Sequence, residues 1–443
     1  MPTIARRLAG LVAACLLAGA LPSAARAQAR APEDTAAFRW LANAKNTVLW
    51  DTTAIPLTWL NSLANGYLHP RRDTMTQRWR GGVIFNPLFG GQQSIGFEIG
   101  GGYYLPRNAK PPPQTAELRM SVRWGVTGSR DGTIKFIAPQ LWKDWRLLAM
   151  VRAERLMRTP YFGVNNQARV EDSLKDRYGI EYYRYALTRT TVFGSLMRHI
   201  VGPLWVQGAL QRRWYRTNAL QDQVSLFAED VAAGRLQDTT VYRGTEERLG
   251  LVVDTRNFWD APESGLFVEA MVAAGQLRNI SNSTEQPYTR YLLGAREFVR
   301  ISRRTTIALR QQAVLASDTL PFFLAYEQLT TGLPDDGVVG PRGIRLHGSA
   351  NQLSSNQQFV SFEVRHKLIN FREDPVVPLR LWATAFGDYG TLFEPATQPG
   401  THKYQYALGV GARLQLHKAS MIGFDVGGTE QGGNIVVVTY FAF

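Results

Sequence analysis

The chain has 443 residues, of which 19% are charged and 11% aromatic, a formal net charge of +14, and a single cysteine, Cys15. One cysteine excludes a disulfide scaffold and a thiolate metal site. The mean hydropathy of −0.19 is that of a soluble protein and equally that of a membrane barrel, in which only alternate residues face lipid.

The first 27 residues carry a basic start (Arg6, Arg7), an apolar run from Leu8 to Leu21, and a small-residue site at Ala25-Arg26-Ala27. That order predicts a secretory signal peptide over 1–27, since the run is too short to span a bilayer. A rival reading takes Val12-Ala13-Ala14-Cys15 as a lipoprotein cleavage box with Cys15 bearing lipid. Cleavage after Ala27 removes three arginines and no acid, which lowers the net charge from +14 to +11. In the bacterial envelope such a surface suits outer-membrane lipid and lipopolysaccharide headgroups, and export argues against nucleic acid as a partner. No stretch of about 18 apolar residues follows the signal, so no transmembrane helix is expected.

Residues 28–79 form a short segment before the strands begin. Pro56 is placed to open a helix running to Asn65, with Gly66 as its C-terminal cap. Trp40, Trp50 and Trp59 lie in or beside it. A periplasmic tether and a lumen plug both fit.

From Arg80 onward the pattern changes to alternation, the mark of a strand with one apolar and one polar face. Sixteen runs are predicted, near 81–89, 93–105, 116–126, 132–139, 145–158, 178–193, 199–217, 241–254, 265–276, 287–301, 304–317, 357–369, 377–391, 403–417, 419–428 and 433–443. In the third, Leu118, Met120, Val122 and Trp124 alternate with Glu117, Arg119, Ser121 and Arg123. In the fourteenth, Tyr406, Leu408 and Val410 alternate with Gln405, Gly409 and Arg413. Arg and Glu beside glycine on the polar faces suit a wet lumen. The fold class expected over 80–443 is therefore all-β: an antiparallel up-and-down transmembrane β-barrel of about 16 strands. An even strand number brings both ends to the periplasmic side, and the longest connections then fall together on the external side. The outer membrane of a Gram-negative cell is the expected location.

Local motifs along the barrel resemble, in order, those of the BamA/TamA-type family of outer-membrane barrels, also called bacterial surface antigens. They are Tyr161-Phe162-Gly163-Val164-Asn165-Asn166, then Asp254-Thr255-Arg256-Asn257 with Pro262 and Gly265, then Arg342-Gly343 in the longest loop. Phe362-Glu363-Val364-Arg365, Phe386-Gly387-Asp388-Tyr389-Gly390, Gly409-Val410-Gly411 and Phe424-Asp425-Val426-Gly427 follow. The resemblance implies a role in outer-membrane protein or lipid biogenesis or translocation, with an unfolded outer-membrane protein or a lipid as substrate. It also implies that Asp254, Arg256, Pro262 and Gly265 form a periplasmic turn. Two features depart from the family. Residues 28–79 are too short for a periplasmic POTRA domain, and Pro341 and Ile344 replace the usual neighbours of the Arg-Gly tip.

Arg342 and Gly343 are expected at the tip of a loop, 318–356, that folds into the lumen. The resemblance implies that Arg342 meets carboxylates of the inner wall, with Glu363 and Asp388 the candidates by strand parity, and arginine suits the role because it binds a carboxylate through two parallel hydrogen bonds. A solvated external charge is the other reading of Arg342. Phe441 and Phe443 share the lipid face with Ile435 and Val437. They resemble the terminal signal read by the barrel-assembly machinery, and equally fit an aromatic girdle. Asn86-Pro87 in the first strand either weakens the closing seam, since proline lacks a ladder donor, or ends the strand at the rim.

Catalytic motifs are absent: no G-x-S-x-G, H-E-x-x-H or G-x-x-x-x-G-K occurs, and the six histidines are scattered. No enzyme activity, catalytic residue, metal or cofactor is expected. Two other functional classes stay open, a porin-like diffusion channel and a surface-exposed structural barrel without transport.

Overall fold

The computed structural model describes the chain from Arg80 to Val438, apart from 91–93, 105–113, 143, 165–170, 221–222, 238–239, 258–261, 326, 333–334, 337–343, 346–353, 373–378, 396–402, 416–420 and 431. The signal peptide, Cys15, the helix expected at 56–65, Arg342, Gly343, Phe441 and Phe443 lie outside the described residues.

The described strands form one 16-stranded antiparallel sheet in sequential order. They are β1 (Arg80–Gly90), β2 (Ser94–Tyr104), β3 (Gln114–Gly125), β4 (Arg130–Trp142), β5 (Trp145–Pro160), β6 (Arg184–Val201), β7 (Leu204–Asn218) and β8 (Thr240–Asp254). The second half is β9 (Gly265–Asn279), β10 (Glu285–Arg300), β11 (Thr305–Ala316), β12 (Asn356–Arg372), β13 (Leu379–Phe393), β14 (Lys403–Gln415), β15 (Met421–Thr429) and β16 (Gly432–Val438). β1 and β16 approach within 8 Å between Cα atoms, and no ladder joins them among the described residues. Pro87 does not end β1: it pairs with Phe97, and the strand runs on to Gly90.

Side-chain alternation sets the two faces. On β14, Leu408 is 62% exposed and Val410 56%, whereas Gln405 and Arg413 are buried on the other face. On β12, Val360 and Phe362 are exposed while Ser361, Glu363 and Arg365 are buried. Apolar side chains outside and charged ones inside is the inverse of a soluble core, and it is the pattern a lipid environment selects. No described helix is long and apolar enough to cross a membrane.

The three long connections, after β5, β7 and β11, share one side of the sheet. That side is therefore external, and β1 begins on the periplasmic side. Two expected boundaries need correction. Residues 178–183, assigned to the sixth strand, instead close α1 (Asp172–Tyr178) and form a single 3-10 turn, Ile180–Tyr183. Gly179, with φ of 75°, separates the two. The next turn falls at Gly202-Pro203, so β6 runs to Val201 and residues 199–201 belong to it, not to the seventh strand. Gly202 has φ of 57°, a left-handed value that glycine adopts readily.

Above the strands the external loops pack together. Tyr161, Tyr185, Phe227 of α2 (Leu226–Ala232) and Phe322 make edge and stacked contacts with ring centroids 4.8–6.1 Å apart. The Tyr161 hydroxyl donates to the Asp230 carboxylate. Burial and that neighbouring carboxylate raise the phenol well above its usual range, so it keeps its proton and its donor role.

Candidate functional site: a plug loop held across the lumen

The connection between β11 and β12 turns inward, as a chain must if its polar groups are to find partners within the barrel. It enters beneath the aromatic cap, where a single helical turn, Phe322–Ala325, is wholly buried. Glu327 follows. Its carboxylate lies 2.7 Å from Arg189 Nη1 and 2.6 Å from Arg213 Nη1, and it accepts a 2.9 Å hydrogen bond from the Tyr215 hydroxyl. These partners stand on β6 and β7. Leu329 then packs among Met271, Ala273, Leu292 and Val314. Thr331 donates its backbone N–H to Glu269 at 3.2 Å, and its carbonyl accepts from Gln207 at 2.7 Å. Thr330 offers its carbonyl to Arg248.

The loop reaches the wall again at Ile344 and Arg345. Ile344 is fully buried against Phe359, Phe386 and Leu392. Gly390 makes the room: a Cβ there would overlap Ile344 Cδ1. Arg345 clasps Asp388 through Nε at 2.8 Å and Nη2 at 2.7 Å, and its own backbone N–H donates to the same carboxylate at 2.8 Å. Its Nη1 donates to Glu363, and its guanidinium carbon sits 3.9 Å from the Phe386 ring centroid. Arg365 holds the other oxygen of Glu363 at 2.6 Å.

The carboxylates named from the sequence, Glu363 and Asp388, thus lie together on β12 and β13, and the arginine they hold is Arg345. Arg342, the partner expected from the resemblance, lies outside the described residues. In an irregular loop no periodicity says which of two arginines three residues apart will reach the wall, and Arg345 was not singled out. Glu327 was missed altogether. Its one signal is that no other acid stands between Asp318 and Asp335 in this stretch.

Around these anchors the inner wall is a chain of alternating charges. Asp131 meets Arg123 and Arg152, Arg152 meets Glu154, and Glu154 meets Arg189. Farther round, Glu246 meets Arg248 and Arg290, Glu269 meets Arg296, and Arg413 meets Asp425. A buried charge without a partner would cost several kcal/mol, so the pairing is obligatory once the side chains face inward.

At the periplasmic end, the β8–β9 connection is a built turn. Asp254 accepts from Arg256 at 3.0 Å and from Arg146 at 3.1 Å. Gly265 has φ of 110°, and a side chain there would strike the Thr255 carbonyl. The Pro262 carbonyl accepts from Arg365 at 3.4 Å, which links the turn to the wall that holds Arg345.

No protein-family model matches the sequence, and no curated protein matches it. Among solved structures, CdiB from Escherichia coli is similar at 11% identity and a TM-score of 0.50, over 81% of this chain and 61% of that one. BamA from Haemophilus ducreyi lacking POTRA domains 1–3 is similar at 12% identity and a TM-score of 0.48, over 88% and 78%. CdiB from Acinetobacter baumannii gives 12% identity and 0.43, over 88% and 68%. At such identities the likeness is one of fold. By fold the chain is an antiparallel up-and-down β-barrel similar to that of CdiB.

Proposed function

We propose that this protein is a gated barrel of the outer membrane, acting in outer-membrane protein or lipid biogenesis or translocation, with no enzymatic step of its own. The observation that carries the reading is the plug loop, fixed to β6–β7 through Glu327 and to β12–β13 through Arg345. A segment pinned at two walls obstructs passive diffusion, and a barrel that opens for a cargo needs a closed state. The first and last strands, near one another with no ladder between their described residues, fit a wall that can open. The cargo class follows from the family resemblance: an unfolded outer-membrane protein or a lipid.

The test is genetic and biochemical. Deleting the gene should alter the amounts of outer-membrane proteins or the lipid composition of the outer leaflet. The wild-type gene should restore them, and Arg345→Ala should not. Unchanged proteins and lipids, together with slower entry of small hydrophilic solutes, would select the diffusion channel instead.

A further inference from the structure

Most of the buried arginines described inside the barrel meet carboxylates. A cluster of four on its outside does not. Arg212 and Arg216 of β7, Arg243 of β8 and Arg278 of β9 all point outward and are exposed. None makes an ion pair among the described residues. They cluster because of the strand register: Arg243 lies opposite Trp214 on one side and opposite Arg278 on the other. Arg212 and Arg216 flank Trp214 at two-residue spacing, which makes both of them diagonal neighbours of Arg243. Arg212 lies 5.5 Å from the centroid of the Trp214 ring. Like charges directly opposite one another destabilise a sheet unless something negative sits between them. Two carboxylates stand nearby. Glu285, opposite Arg278, accepts a 2.7 Å bond from Gln276, and Glu247 lies one outward position below Thr245. Four positive charges therefore face two negative ones.

The height of the patch is informative. β7 and β9 end on the external side and β8 starts there, so all four arginines lie in the external part of the wall. Val192 stands beside Arg212, and below the arginines, past Glu247 opposite Leu210, the outward residues turn apolar: Leu210, Leu249, Leu251 and Val272 are all exposed. The arginines thus crown the apolar band at the depth of outer-leaflet headgroups. On the wall formed by β13 and β14 the corresponding rim carries Tyr389, Tyr404 and Tyr406 instead, an ordinary aromatic girdle.

We propose that the external rim of β7–β9 is a binding site for the phosphates of the anionic glycolipid of the outer leaflet. Guanidinium groups pair with phosphate through two parallel hydrogen bonds, and the apolar strip below would take the acyl chains. The proposal rests on the outer-membrane reading above.

The test uses the folded full chain in neutral detergent, with lipid A bearing both phosphates as the probe and lipid A stripped of them as the control. Retained lipid is read by native mass spectrometry. The wild type should hold the phosphorylated form and lose the stripped one. In the variant Arg212→Gln/Arg216→Gln/Arg243→Gln/Arg278→Gln, retention should fall by more than about tenfold. In Arg303→Gln/Arg304→Gln, at the periplasmic rim, it should be unchanged. Heat-shifted migration on gels reports folding, and Arg243→Gln/Arg278→Gln serves if the fourfold variant does not fold. Equal retention of both lipids, equal retention by wild type and variant, or equal retention of phosphatidylglycerol would each overturn the proposal. Surface labelling of whole cells tests the outer-membrane reading separately, because binding in detergent does not depend on where the protein resides.

Discussion

The arginines of the lumen and those of the external rim occupy the same strands yet live by different rules. Arg213 faces inward on β7, buried and 2.6 Å from Glu327. Arg212, its neighbour in the chain, faces outward, exposed and beside Trp214. One residue of register separates a charge that must be paired from one that is free to meet the surroundings. Inside, positive charge is spent on holding the plug and the wall together. Outside, it is left available.

Breaking that contrast gives a graded series. The largest effect is expected for Arg345→Ala, which strands Asp388 in an enclosed lumen, leaves Glu363 with Arg365 alone, and should lower barrel stability by about 3–5 kcal/mol, read as loss of heat-resistant migration on gels. Next comes Leu408→Arg on the lipid face of β14 at mid-depth, expected to cost about 2–4 kcal/mol and to block assembly. Glu327→Gln keeps the shape of the first anchor and removes its charge. It should cost about 1–3 kcal/mol and expose the loop to limited proteolysis without unfolding the barrel. Smallest are the single outward substitutions Arg212→Gln and Arg243→Gln, expected to stay within about 0.5 kcal/mol of wild type in a urea titration. If an outward substitution proved as damaging as Arg345→Ala, the division between paired and free arginines would fail.

Much of this was legible in the sequence, for a physical reason. A strand repeats every two residues, so alternation assigned each face, and with it the inward direction of Glu363 and Asp388, before any coordinates. Periodicity ends where strands end. The β6–β7 boundary slipped because Arg198 and His199 interrupt the apolar alternation before the strand ends, while the turn is set by Gly202-Pro203, a local signal of only two residues. The plug was harder still. Its loop obeys no repeat, so the family resemblance implied an arginine at the wall and nothing local pointed to Arg345. Nothing local announced that Glu327 would meet Arg189, 138 residues away.

A loop pinned at two separate walls should close the lumen. Planar-bilayer conductance of the purified barrel tests it directly, comparing the wild type with Arg345→Ala, Glu327→Gln and the double variant. The two-anchor plug predicts a wild type with little steady current, brief openings when either anchor is lost, and larger, longer steps in the double variant. A wild type already conducting as a wide, steady pore, unchanged by either substitution, would contradict it.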